Sequence, residues 1–135
     1  MASEKSFELR IITPDRVFYE GNAEMVEMDT KEGAIGVYKS HVPTTCILRP
    51  GLLTVHLEGG EDKKAALHGG FVEILKESVT VLAEAAEWPQ EIDLERAKQA
   101  KERAEARLQA HNEDLDAARA EMALRRAITR MKAAK

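Results

Sequence analysis

Between residues 7 and 84 apolar and polar side chains alternate in short runs, and after Ile92 the apolar repeat lengthens to that of a helix. Phe7, Leu9 and Ile11 alternate with Glu8 and Arg10 until Thr13, Pro14 and Asp15 break the run, the period-two signature of a half-buried strand ended by turn residues. Val17, Phe18 and Tyr19 lead to Gly21 and Asn22, and Met25, Val26 and Met28 follow among acids. Pro50-Gly51 has the form of a type II turn, with Gly supplying a positive φ. Leu53, Val55 and Leu57 then alternate up to Glu58-Gly59-Gly60-Glu61, which predicts a hairpin. With the runs at residues 34–37, 45–48, 65–68, 70–75 and 79–83, the spacing predicts about ten short strands with turns every eight or so positions and no helix between them. A parallel sheet would need crossovers of a dozen or more residues, so an antiparallel sandwich or flattened barrel is expected.

Beyond Ile92 the chain has no glycine, proline or aromatic residue. Leu94, Ala97, Ala104 and Leu108 share one helical face, and Ala117, Ala120, Leu124, Ala127 and Met131 share a second, at helical spacing. Asp93 is the expected N-cap of the first helix, and Pro89 should keep it from starting sooner. The residues between the helices, His111 to Asp114, offer Asn112 or Asp114 as a second cap. They contain no breaker, so residues 94–132 could also form one rod of roughly 58 Å at about 1.5 Å per residue. Alanine faces bury little area, so a folded-back hairpin is only marginally favoured and the tail is a candidate switch. The fold class expected is α+β, mainly β: a sandwich over residues 1–88 and a two-helix antiparallel hairpin over residues 89–135.

Composition and charge narrow the function. The single cysteine, Cys46, excludes an internal disulfide and a cysteine-based metal site. The four histidines have no metal-ligand spacing, and neither Gly33-Ala34-Ile35-Gly36 nor Gly69-Gly70 has a nucleotide-loop context. No nucleophile motif is present, so catalysis by this chain is not expected. No apolar run approaches a membrane span of about 18 residues or a signal peptide. Residues 1–88 carry nine Lys and Arg against fifteen Asp and Glu, whereas residues 89–135 carry eleven against nine. An acidic body with a mildly basic, mixed tail suggests an anionic partner for the tail and argues against a nucleic-acid arm.

Within the tail, Lys98 with Glu102, Lys101 with Glu105, Arg125 with Glu121 and Arg119 with Asp116 have helical partners, and Arg96 can reach back to Asp93. Arg103, Arg107, Arg126 and Arg130 have no acid three or four residues away. Either they diverge into solvent, or the folded hairpin converges Arg103, Arg126 and Arg130 on one polyanion whose oxygens suit guanidinium forks.

Three blocks then identify a resemblance: EGAIGVYKSHVP at residues 32–43 running on to RPGLLTV at 49–55, GGFVEI at 69–74 with VTVLAEAAE at 79–87, and IDLERA at 92–97. In this order and spacing the chain resembles the epsilon subunit of bacterial F-type ATP synthase over about residues 7–131. The resemblance implies a ten-stranded sandwich on the rotating central stalk, binding the gamma subunit and resting on the c-ring at the cytoplasmic face of the bacterial membrane as a peripheral, non-catalytic subunit. The loop bearing Glu32, Gly33 and His41 would face gamma and the ring, with Ala34 where some members carry an acid. In the family the extended tail enters the catalytic head, against the alpha and beta subunits, and blocks ATP hydrolysis. In nucleotide-sensing members ATP, with no metal required, holds the hairpin folded. That site would here comprise Ile92, Asp93, Arg96, Ala97, Arg103, Arg126 and Arg130. A ligand binding only the folded state would stabilise it by about 2.7 kcal/mol at a hundredfold excess over Kd. Competing classes are a structural stalk subunit without nucleotide response, an autonomous ATP-binding module and a free-standing hydrolase.

Overall fold

The computed structural model describes residues 4–110 and 116–134. Ten strands come first: β1 (Phe7–Thr13), β2 (Arg16–Ala23), β3 (Met25–Thr30), β4 (Gly33–Tyr38), β5 (Thr44–Leu48), β6 (Gly51–His56), β7 (Asp62–Leu67), β8 (Gly70–Ile74), β9 (Ser78–Ala83) and β10 (Ala86–Glu87). Two helices follow, α1 (Leu94–Gln109) and α2 (Ala117–Ala134), giving the mainly β, sandwich-plus-hairpin architecture that the residue pattern predicts.

The strands run in the order β10-β7-β6-β3-β5-β8-β9-β1-β2, with β4 on the far side of β3. Only the Thr30–Leu48 pair joins β3 to β5, so the sheet folds there into two layers, β10-β7-β6-β3-β4 over β5-β8-β9-β1-β2. Alternation sends Leu9, Ile11, Met28, Leu53, Leu67 and Ile74 into the space between them, each at most 2% exposed, which is the large apolar burial that holds such a sandwich together.

Three local expectations are corrected. β1 pairs with β9 in parallel, Leu9 opposite Val79 and Ile11 opposite Val81. The crossover argument does not apply, because the intervening strands themselves supply the connection. Gly51 is not a positive-φ turn residue; it opens β6, and a Cβ there would run into the side chain of Asp29, so close approach is what requires glycine. Gly21 and Asn22 do not end β2 but pair with Leu9 and Glu8. Pro89 opens a 3₁₀ turn, Pro89–Glu91, as its preset φ and missing N–H allow, and α1 starts only at Leu94, as expected.

Positive φ angles occur where the chain reverses, at Gly59 and Gly60 between β6 and β7, at Gly69 between β7 and β8 and at Gly70, the first residue of β8. A register shift in the β1–β2 pair places Ile11 opposite Tyr19 and Ile12 opposite Val17, leaving Phe18 as the extra residue of a bulge. Phe18 turns inward, 7% exposed, and its ring stacks on Trp88 at 4.2 Å and 15°, fixing the start of the linker to the sandwich.

In the hairpin Ala97 and Ala104 of α1 are buried, as are Ala120, Ala127, Thr129 and Ala133 of α2, while Leu94 and Ala117, expected on the same faces, are exposed. Asp93 caps α1 by accepting from the Arg96 amide at 3.1 Å. The expected second cap, Asn112 or Asp114, lies outside the described residues; Asp116 accepts from the Arg119 amide at 3.1 Å and so does the capping. That bond takes up the carboxylate expected to pair with the Arg119 side chain. Of the four predicted helical ion pairs, only Lys101 with Glu105, at 3.1 Å, closes among the described residues. α2 packs against β6, β7 and the 3₁₀ turn.

Candidate functional site

The linker, the first turns of α1 and the last turns of α2 meet at the sandwich edge formed by β10 and β7. Because α2 runs antiparallel to α1, its C-terminal Arg130 lies beside Asp93 and Arg96 at the start of α1. A cleft of about 380 Å³ results, lined by Glu87, Glu91, Asp93, Arg96, Arg103 and Arg130 with Ala97 and Ala100 on its floor. The volume falls within the usual range for small-molecule sites, about 300–1,000 Å³.

The cleft holds three arginines and three acids, and the acids are already engaged. Glu91 accepts a forked bond from Arg16 at 2.8 and 2.9 Å and another from the Trp88 amide at 2.9 Å, tying the 3₁₀ turn to β2. These contacts, led by the Arg16 bond, hold the Glu91 carboxyl below its ordinary range. Asp93 is occupied in capping. Glu87 takes Arg130 Nε at 2.6 Å and His68 Nε2 at 2.8 Å on the same oxygen. Burial pushes the Glu87 carboxyl up, but the bonds from Arg130 and then His68 outweigh it, and the net shift is downward. Glu87 is therefore ionised. For His68 burial is the largest influence and favours the neutral ring; Glu87 opposes it, Arg130 and Arg126 reinforce it, and the net shift is down. The His68–Glu87 contact is thus a neutral imidazole donating to a carboxylate. Arg96 and Arg103 pair with no acid among the described residues, so two guanidinium groups at this cleft keep their donors available.

Of the residues expected at an anion site, Asp93, Arg96, Ala97, Arg103 and Arg130 line the cleft. Ile92 is half-buried just before it, its amide donating to the Pro89 carbonyl at 3.2 Å. Arg126 is half-buried one turn before Arg130 and is not part of the lining, but its charge reaches His68. Arg130 is not without a partner: its acid comes from β10 rather than from its own helix, which helical spacing cannot reveal. Arg107 lies in the last turn of α1, where the helix dipole favours a cation. Sequence reasoning missed Glu87, Glu91 and His68. A histidine closing the apolar run Ala65-Ala66-Leu67 just before Gly69-Gly70 was the available signal for a buried imidazole.

The loop residues expected to face partners do not form one patch. Glu32 stands in the β3–β4 turn, its amide donating to Thr30 Oγ1 at 3.1 Å, and Gly33 follows with φ 128°. His41 follows the other end of β4, its Nδ1 donating to the Val42 carbonyl at 2.7 Å. A strand of six residues separates them, about 20 Å.

A β-sandwich with a two-helix arm folded against it and an arginine-bearing cleft at the joint defines the class of fold. Two family models match, the ATP synthase delta/epsilon chain beta-sandwich domain over residues 6–89 and the delta/epsilon chain long alpha-helix domain over residues 90–135. The chain belongs to the ATP synthase delta/epsilon chain family. It is 45% identical over 132 residues to the ATP synthase epsilon chain of Caldanaerobacter subterraneus, covering 97% of this chain and 95% of that one. It is 48% identical over 130 residues to that of Shouchella clausii, with 96% of each covered. Among solved structures, a chain of the Euglena gracilis mitochondrial ATP synthase, imaged as an OSCP/F1/c-ring assembly, superposes with a TM-score of 0.83 at 28% identity, covering 96% of this chain and 81% of that one. A chain from the central stalk and c-ring of the Tetrahymena thermophila mitochondrial ATP synthase shares the fold, with a TM-score of 0.55 at 16% identity, covering 98% of this chain and 96% of that one.

Proposed function

We propose that the chain is the epsilon subunit of an F-type ATP synthase central stalk, non-catalytic itself, and that its hairpin is held down by a nucleoside triphosphate and inhibits ATP hydrolysis when extended. The observation that carries the nucleotide reading is the convergence of Arg96, Arg103 and Arg130, from both helices, on one cleft. A polyphosphate there would bridge α1 to α2 and so bind only the folded arrangement. Arg126 would join after a small change of side-chain direction, and Ile92 and Ala97 would provide the apolar contact for a base.

The sandwich would supply the mechanical coupling. Ile47, Phe71, Leu82, Ile12 and Val17 follow one another in register across β5, β8, β9, β1 and β2. Four of them are strongly exposed: Ile47 56%, Phe71 43%, Leu82 37% and Val17 53%. A contiguous apolar row on the sheet face away from the hairpin is the kind of surface that seats a partner, here the gamma subunit, with the Glu32 and His41 ends of β4 available to gamma and the c-ring. Among the described residues no helix is long and apolar enough to cross a membrane; the subunit would sit peripherally, at the cytoplasmic face.

Titration of the full chain with ATP, followed through Trp88 fluorescence, tests the nucleotide reading. A saturable change is expected, with affinity reduced at least about tenfold in Arg103→Ala, as for loss of one charged hydrogen-bonding partner. No saturable change would leave a stalk subunit without nucleotide response. Phe71→Glu should independently abolish co-purification with gamma.

A further inference from the structure

Glu87 Oε1 is shared by two donors from opposite sides of the joint, Arg130 Nε of α2 and His68 Nε2 next to β7. The His68 side chain is 2% exposed, and its Nδ1 is buried with no hydrogen-bond partner. A carboxylate only accepts, so the ring proton is on Nε2 and Nδ1 is bare. Charged groups reach the ring from two elements, Glu87 of β10 and Arg130 with Arg126 of α2. The Glu84 carboxylate lies over the neighbouring Gly69, 3.1 Å from where a Cβ would stand. The ring is kept neutral by burial and by the arginines; among the described residues the only influence favouring its charge is Glu87, and Arg130 holds the same oxygen.

An anion that engages Arg130 changes both conditions together. It neutralises the nearest positive charge facing His68, and it competes for the guanidinium that Glu87 holds. A half-buried carboxylate deprived of its cation is costly, and the group already in hydrogen-bond contact that can become a cation is His68. We propose that Glu87 is handed from Arg130 to His68 when a phosphate-bearing anion binds the cleft, and that His68 takes up a proton from solvent on its bare Nδ1 in the same step, Nε2–H remaining on Glu87. The inference rests on the cleft being the anion site proposed above. Proton uptake on binding means, by linkage, that the anion binds more tightly as the pH falls from the raised His68 midpoint of the bound form toward the lower one of the free form. The hairpin would therefore read nucleotide and acidity jointly, through residues none of which belongs to the Ile92–Ala97 motif.

The test is the pH titration of the His68 imidazole signal by NMR in the full chain, with and without saturating ATP, the signal being assigned by its loss in His68→Gln. Trp88 fluorescence on the same samples reports binding. ATP should raise the His68 midpoint by about one unit or more, which corresponds to about tenfold tighter binding to the protonated form. In Glu87→Gln, ATP should leave the midpoint where it is. Binding with an unmoved His68 midpoint in the unsubstituted chain removes the handover and leaves the cleft. Absence of ATP binding removes the site itself, and the handover with it.

Discussion

The sandwich and the hairpin are stabilised by different kinds of side chain. Between the sheets Leu9, Ile11, Leu53 and Ile74 are wholly buried, each contributing about 1.5–3 kcal/mol of apolar transfer. The hairpin buries five alanines and Thr129, each alanine methyl worth only about 0.8 kcal/mol on the same scale. One polypeptide therefore joins a body with a large apolar core to an arm whose docking is a small balance, and a few polar contacts at the joint can decide that balance.

The largest expected effect lies in the sandwich. Leu53→Ala should cost about 3 kcal/mol through lost burial and the cavity left behind, measured as a shift of the urea midpoint followed by Trp88, which is stacked on Phe18. A loss under about 1 kcal/mol would mean that the layers relax around the gap and that the body is not the rigid half. The converse substitution belongs in the arm: Ala127→Leu, at a site 1% exposed, should overpack the hairpin and weaken docking by about 2 kcal/mol. Hydrogen exchange should then accelerate in α1 and α2 while the β8 and β9 amides keep their protection. Equal acceleration in both regions would abolish the distinction.

Much of this division is legible in the residues. Period-two runs locate the strands, the change of composition after Ile92 locates the helices, and Asp93 is readable as a cap, because all are local patterns. The parallel β1–β9 pairing, the bulge that turns Phe18 onto Trp88 and the close approach of Asp29 to Gly51 depend on segments far apart in the chain, and local patterns carry no trace of them. The site divides in the same way. Arg103 and Arg130 stand out because no acid lies within a helical turn, yet the acid that holds Arg130 comes from β10, 43 residues away. Glu87 is ordinary in sequence and His68 signals at most its burial; the two become a unit only when β7, β10 and α2 converge.

A middle-sized effect should appear on acidification. The His68 value in the docked form lies below the ordinary one near 6.5, so the docked form refuses a proton that the released form accepts. His68 thus contributes docking stability that is full above about pH 6.5 and lost as the pH falls below it. Glu87, held below the ordinary 4.5, contributes stability that is full above that value and lost on further acidification. Hairpin protection without ATP, with exchange corrected for its intrinsic pH dependence, should therefore fall in two steps from pH 7.5 to pH 4, and His68→Asn should remove the upper step alone. A single step near pH 4 in the unsubstituted chain would assign the acid response to carboxylates only. With ATP bound the upper step should shrink or vanish, because the raised His68 midpoint approaches that of the released arm.

The smallest expected effect asks whether surface charge contributes to docking at all. Lys101 and Glu105 form an ion pair at 3.1 Å on α1, their side chains 35% and 44% exposed, a geometry worth about 0.3 kcal/mol before screening. Lys101→Ala removes the pair but installs the best helix former, which offsets the loss by a comparable amount. Hairpin exchange rates should therefore stay within about twofold of the unsubstituted chain, since about 0.4 kcal/mol corresponds to a factor of two. Opening as large as that of Ala127→Leu would mean that the arm is held by its charged exterior. The alanine seam would then be a consequence of docking rather than its cause, and the balance between body and arm would have to be sought in salt concentration instead of packing.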